Sequence, residues 1–157
     1  MDSSNYQHFE SESAGMVAER RCEHTVVAFT VAFDLGDFDR MSQLFAEDGV
    51  WKRQDGEVVG ISQLQQLMSA RPAGLFVRHV LANMRTTFMS AADAVVESYV
   101  TVYRHDFPGQ PRRPAPLNGP NLVGRYRDQL SLREQGWKLA GREVVVDFKQ
   151  QQSEKKQ

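Results

Sequence analysis

The chain has 157 residues, with a hydrophobic share of 41%, a charged share of 25% and a formal net charge of −1. That composition fits one globular domain with a real core, and a pI near 6.4 removes the electrostatic basis for nucleic-acid or anionic-membrane partners. The single cysteine, Cys22, excludes an internal disulfide and reads as a small buried apolar residue.

Residues 1–12 are polar and expected to be flexible, as is the tail at 150–157, which leaves 13–149 as a single domain. The start, MDSSNYQHFESESAG, lacks the apolar stretch of a secretion signal. No apolar run approaches the roughly 20 residues needed to cross a bilayer, so a cytoplasmic protein is expected. A first helix is predicted from about Ser13 to Leu35. Its second half crowds Val26, Val27, Phe29, Val31, Ala32, Phe33 and Leu35, more than one stripe, which predicts burial on most sides. Gly36 is a natural helix stop, and Asp37 is placed to cap a second, short helix carrying Phe38, Met41, Leu44 and Phe45 on one face. Glu47-Asp48-Gly49 ends that helix.

The period then changes. Residues 50–53 and 57–59 read as a small hairpin turned by Asp55-Gly56. Ser62-x-x-Gln65 fits a capping box opening a third helix with Leu64, Leu67 and Met68 inward, stopped at Arg71-Pro72-Ala73-Gly74. Four long strands follow, over 75–89, 94–105, 121–133 and 137–148. Between Phe107 and Asn121 lie five of the chain's six prolines, an irregular loop long enough to be a lid or an edge cover. Helices gathered on one side of a bent antiparallel sheet make an α+β fold, and a sheet curled around a long helix leaves a cone with an apolar interior.

Two residues stand out chemically. Asp34 sits at the C-terminal end of the first helix, the wrong end for a negative charge, so it needs a compensating partner. His79 shares a predicted strand face with Leu81 and Asn83, where an imidazole can accept and return a proton near neutral pH. Each also has a plainer reading, as a helix-end carboxylate and a hydrogen-bonded core histidine. The opposite strand face, Val80, Ala82 and Met84, is apolar as well, which predicts that both faces are covered and points to a homodimer through the sheet. Trp51, Tyr99 and Tyr126 are aromatic strand residues suited to line a pocket for a flat hydrophobic ligand. Either Tyr126 and Asp128 or Arg127 and Gln129 face that pocket, and the alternation allows both. The histidines show no metal-ligand spacing, and no phosphate loop or nucleophile elbow occurs, so neither metal nor cofactor is expected.

Taken in order, four segments resemble the NTF2-like superfamily, in particular its SnoaL-like and scytalone dehydratase-like branch. They are Ala32-Phe33-Asp34-Leu35-Gly36-Asp37-Phe38-Asp39, Leu44-Phe45-Ala46-Glu47-Asp48-Gly49-Val50-Trp51, Arg78-His79-Val80-Leu81-Ala82-Asn83 and Gly136-Trp137-Lys138-Leu139-Ala140-Gly141-Arg142. The resemblance spans about residues 14–149. It implies an NTF2-like cone, a curved mixed or antiparallel sheet wrapped around a long N-terminal helix with two further helices. It also implies Asp34 and His79 as a catalytic acid–base pair. His105 falls near the family's second histidine, although a slip of one residue puts Arg104 there. Phe33 stands where the family has tyrosine, and Arg127 and Gln129 where it has serine and asparagine. The expected site is therefore Asp34 and His79 as catalytic residues, with Trp51, Asn83, Tyr99, His105, Tyr126 and Gln129 contacting substrate. The expected activity is a cofactor-independent lyase or isomerase acting on a small hydrophobic, cyclic or polyketide-like molecule. A non-catalytic binding or assembly module, and the small subunit of a ring-hydroxylating oxygenase, share the fold and are the alternatives.

Overall fold

A computed structural model describes residues 3–151. Met1, Asp2 and residues 152–157, parts of the two expected flexible ends, lie outside the described residues. The first helix, α1, is Glu12–Leu35, with the Ser11 side chain accepting from the Ala14 amide at its start. It ends as the sequence predicts. Gly36 takes a left-handed φ of 74°, its N–H reaches the Phe33 carbonyl, and the Asp37 N–H reaches the Ala32 carbonyl at 2.9 Å. These paired bonds close a Schellman motif, which fixes where Asp34 points. Asp37 then caps the second helix, α2 (Phe38–Leu44), through the Arg40 amide at 2.9 Å.

Three further predictions are corrected. The second half of α1 buries one stripe (Cys22, Val26, Phe29, Ala32), while Val27, Val31 and Leu35 are exposed, Leu35 to 65%. The helix packs against the sheet on one side, and among the described residues nothing covers the other. The second helix stops at Leu44, so that Phe45 and Ala46 already belong to strand β1, Phe45–Arg53, which pairs with β2, Gly56–Val59. The capping box at Ser62 does not form. Helix α3 starts earlier, as Gly60–Ser69, and Gln63 reaches back to accept from the Val59 amide at 2.8 Å.

The four long strands are β3 (Leu75–Phe88), β4 (Asp93–Asp106), β5 (Leu122–Arg133) and β6 (Gly136–Lys149). Together with the first hairpin they form a six-stranded sheet of order β2-β1-β6-β5-β4-β3, antiparallel except where β1 runs parallel to β6. The sheet is mixed, and it curls so that α1 lies against β3, β4 and β6. Between helix and sheet sits the core. Phe29 stacks on Phe45 at 5.7 Å and meets Trp51 edge-on, with Leu64, Val96, Leu130 and Leu139 buried around them. Each such side chain contributes about 1.5–3 kcal/mol by leaving water.

The segment ahead of α1, predicted flexible on composition, is docked from Ser3 onward. Ser3–Tyr6 forms a 3-10 turn. Asn5 donates to the Thr86 carbonyl and accepts from the Phe88 amide, each at 3.0 Å, which satisfies free backbone groups on the edge strand β3. Phe9 meets the Phe88 ring edge-on at 4.7 Å. Two aromatic side chains and one amide thus tie down a stretch whose average polarity suggested freedom.

Candidate acid–base site

The last turn of α1 and the first half of β3 meet at Asp34 and His79. The Asp34 carboxylate engages the histidine twice. Oδ1 lies 2.6 Å from His79 Nδ1, and Oδ2 accepts the His79 backbone N–H at 2.9 Å. One acid therefore fixes both the strand position and the ring angle, across 45 residues of sequence. The side chains are 7% and 9% exposed, so the pair is almost dry. Carboxylate contact at Nδ1 places the imidazole proton there and leaves Nε2 as the atom free to take a proton. Arg71, from the loop after α3, donates Nη2 to the Asp34 backbone carbonyl at 3.1 Å, a cation at the helix end that favours one.

Around the pair the lining is aromatic. Phe33 lies 5.7 Å from the His79 ring and 5.5 Å from Trp51, edge-on to both. Tyr126 lies 6.4 Å from His79 on the other side. Burial pushes the Tyr126 phenol up to about 12, so at neutral pH it is an un-ionised donor. Val77, His79 and Leu81 share one face of β3, where Val77 and the Leu81 partner Val100 are buried. Leu81, Met84 and Phe33 pack on the core, which leaves the cone narrow. Five cavities elsewhere among the described residues are lined by neither Asp34 nor His79.

The register settles which predicted contacts reach the cone. Tyr126 and Asp128 are buried and pair with Ser98 and Val96, so this set faces inward, while Arg127 and Gln129 are exposed on the outer face. Trp51 is inward and buried. Four expected contacts are not brought to the site. Asn83 sits in a bulge between Ala82 and Arg85 with φ of 51°, which breaks the alternation that would have placed it beside Leu81. It lies instead on the surface with Arg85 and Glu97. Tyr99 is 53% exposed on the outer face, and Gln129 shares that side. His105 pairs with Phe76 on the outer face and packs on Phe107, while Arg104 holds the position opposite Val77. Arg104 and His105 thus lie on opposite faces of β4.

The sequence reading missed a buried ion pair at the base of the cone. Arg142 binds Asp128 through Nε–Oδ1 at 2.7 Å and Nη2–Oδ2 at 2.8 Å, and reaches Thr30 Oγ1 at 3.3 Å. Burial raises the Asp128 carboxyl above its ordinary value, against the opposing pull of Arg142. Burial by itself would lower the guanidinium, but the Asp128 charge and hydrogen bonds outweigh it and hold Arg142 above its ordinary value. The guanidinium also lies 4.2 Å over the Tyr126 ring. A row of polar groups therefore crosses the interior from Asp34 and His79 through Tyr126 to Arg142 and Asp128. The signal for it was the alternation Tyr126-Asp128-Leu130 with its apolar end. Nothing in the sequence marked Arg142 or Arg71. Among the described residues, no group of three or more His, Cys, Asp or Glu is placed to hold a metal ion.

With the cone and its polar row in place, the family can be tested. The family model of the SnoaL-like domain matches residues 16–143. The chain belongs to the SnoaL-like family. Its fold is that of solved NTF2-like proteins. A candidate scytalone dehydratase from Novosphingobium aromaticivorans is 19% identical, with a TM-score of 0.69 over 88% of this chain and 89% of that one. A hexachlorocyclohexane dehydrochlorinase, LinA type 2, is 14% identical, with a TM-score of 0.73 over 88% and 90%. A single-substitution variant of Rv3472, a Mycobacterium tuberculosis protein of unknown function, is 18% identical, with a TM-score of 0.70 over 84% and 77%. At these identities the similarity shows the fold alone. No curated protein matches the sequence. Among the described residues of this SnoaL-like chain, no helix is long and apolar enough to cross a membrane.

Proposed function

We propose that this SnoaL-like protein is a cofactor-independent lyase or isomerase whose general base is His79, steered by Asp34. The observation that carries the reading is the two-point grip of Asp34 on His79 in a nearly dry interior. A carboxylate so placed stabilises the imidazolium that forms when Nε2 takes a proton from the carbon beside a substrate carbonyl. The oxyanion formed at that carbonyl needs a neutral donor, and the Tyr126 phenol keeps its proton for that role. His79 then returns the proton. Given to a departing β-hydroxyl, it releases water and completes a dehydration; given to another carbon, it completes an isomerisation. Phe33, Trp51 and Tyr126 suit a small cyclic, polyketide-like substrate. The solved neighbours described as a candidate scytalone dehydratase and a dehydrochlorinase support elimination chemistry on this fold. The test is turnover of a panel of cyclic β-hydroxy ketones by wild type, Asp34→Asn and His79→Ala. Loss in both variants supports the reading, and equal turnover in all three ends it.

A second reading is a binding module without catalysis. It is favoured by one observation, that the five cavities described above are lined by neither Asp34 nor His79. It predicts ligand binding with no His79-dependent chemistry on any member of the panel. In either case we infer a homodimer through the outer sheet face, where Val80 on β3, Tyr99 on β4 and Val145 on β6 are exposed. Sedimentation velocity at micromolar concentration checks this, and Val80→Lys should give a monomer.

A further inference from the structure

Arg71 has a stronger tie to the site than a helix-end contact requires. Its guanidinium lies 5.1 Å over the Phe33 ring, the same ring that meets His79 and Trp51. Its side chain runs past Gly36, so the Schellman turn that aims Asp34 also seats Arg71. Nη2 is used on the Asp34 carbonyl. Nη1 is shielded from solvent and has no hydrogen-bond partner among the described residues. The Trp51 indole N–H is in the same condition. Two buried donors without acceptors therefore border one phenyl ring beside the proposed base.

The acid that acts on Arg71, Asp34, is already engaged elsewhere. Asp34 has both oxygens on His79. Asp106 has both on Arg104, at 2.8 and 2.9 Å. Burial acts most strongly against the Arg71 cation, Asp34 attracts it, and Arg104 and Arg78 repel it. Two cations and one anion thus act on Arg71, and a guanidinium suits a planar two-oxygen acceptor.

We propose that Arg71 anchors a substrate carboxylate, so that the cone takes a small cyclic carboxylic acid rather than a neutral ketone. The proposal rests on the acid–base reading only for which interior the substrate enters. Phe33 links Arg71 to His79, so the carboxylate and the reacting carbon lie on one ring's scale from each other. Arg71 binds and orients; the proton moves at His79.

The experiment is calorimetric titration with 4-oxocyclohexanecarboxylate and with its neutral twin, 4-oxocyclohexanecarboxamide. Wild type should favour the carboxylate by about tenfold or more, the scale of one hydrogen-bonded charge. Arg71→Met, which keeps cover over Phe33, should remove the preference, read as the ratio of the two affinities. Arg71→Lys should keep part of it, which shows that a folded protein with the charge but not the fork behaves between the two. His79→Ala should retain the preference in full. An unchanged ratio in Arg71→Met, no preference in wild type, or no binding of either compound overturns the proposal. Failure of the acid–base reading is separate: wild type would then favour the carboxylate yet show no His79-dependent exchange of the ring protons.

Discussion

Asp34 holds His79 by its ring and by its backbone at the same time, through Nδ1 at 2.6 Å and the amide at 2.9 Å. A carboxylate at the negative end of a helix dipole is costly alone, and these two donors with the Arg71 cation offset that cost. The result is a histidine whose ring cannot rotate without losing its partner.

The tautomer follows from that grip. In wild type, nitrogen-15 spectra of the neutral His79 ring should show the proton on Nδ1 and none on Nε2. Asp34→Asn should mix the tautomers and lower any His79-dependent rate by about 10²–10⁴-fold, the usual share of positioned acid–base catalysis. An unchanged tautomer in the variant contradicts the assignment.

The buried pair at the base of the cone should behave as one unit. Removing a single partner, by Arg142→Met or Asp128→Asn, strands a buried charge or leaves donors unmet and should cost about 3–5 kcal/mol in urea unfolding. Replacing both by Met and Leu should cost clearly less than the sum of the singles.

Tyr126 gives an alkaline signature. Its folded phenol is pushed up to about 12 by burial, above the ordinary value of 10.0. Between those values the unfolded chain gives up a proton that the folded chain keeps. The contribution of Tyr126 is therefore complete below pH 10 and is lost as pH rises toward 12, by at most about 1.4 kcal/mol per pH unit. Tyr126→Phe should remove this part of the alkaline fall and leave the contributions of Tyr6 and Cys22, both also raised to about 12.

Gly36 is needed for its backbone. At φ of 74° an added side chain is strained, so Gly36→Val should destabilise by about 1–2 kcal/mol and displace the Asp34 turn. Thermal unfolding checks the first effect, and the His79 tautomer spectrum the second.

Much of this was legible in the sequence because it rests on local signals. The helix stop at Gly36, the cap at Asp37 and the change of period after Val50 set the order of elements, and the resemblance to the scytalone dehydratase-like pattern is what coupled Asp34 with His79. What was not legible depends on breaks in periodicity and on which neighbours a side chain meets. The bulge at Asn83 ends the strict alternation of β3, and no residue type announces it. His105 and Arg104 differ by one step, and only the pairing of Phe76 and Val77 across the sheet decides between them. Arg142 is as polar as any surface residue, and its burial is intelligible only once Asp128 and Thr30 stand beside it. The second half of α1 misled for the converse reason, since apolar residues such as Leu35 can remain exposed when nothing packs on them.

The central claim is that Asp34 makes His79 a base. It is tested most directly by proton exchange from the α-carbon of 4-oxocyclohexanecarboxylate in deuterated water, followed by NMR, for wild type, Asp34→Asn and His79→Ala. The account predicts exchange above the solvent rate with wild type, a reduced rate with Asp34→Asn, and the solvent rate with His79→Ala. Exchange by His79→Ala equal to that of wild type would contradict it.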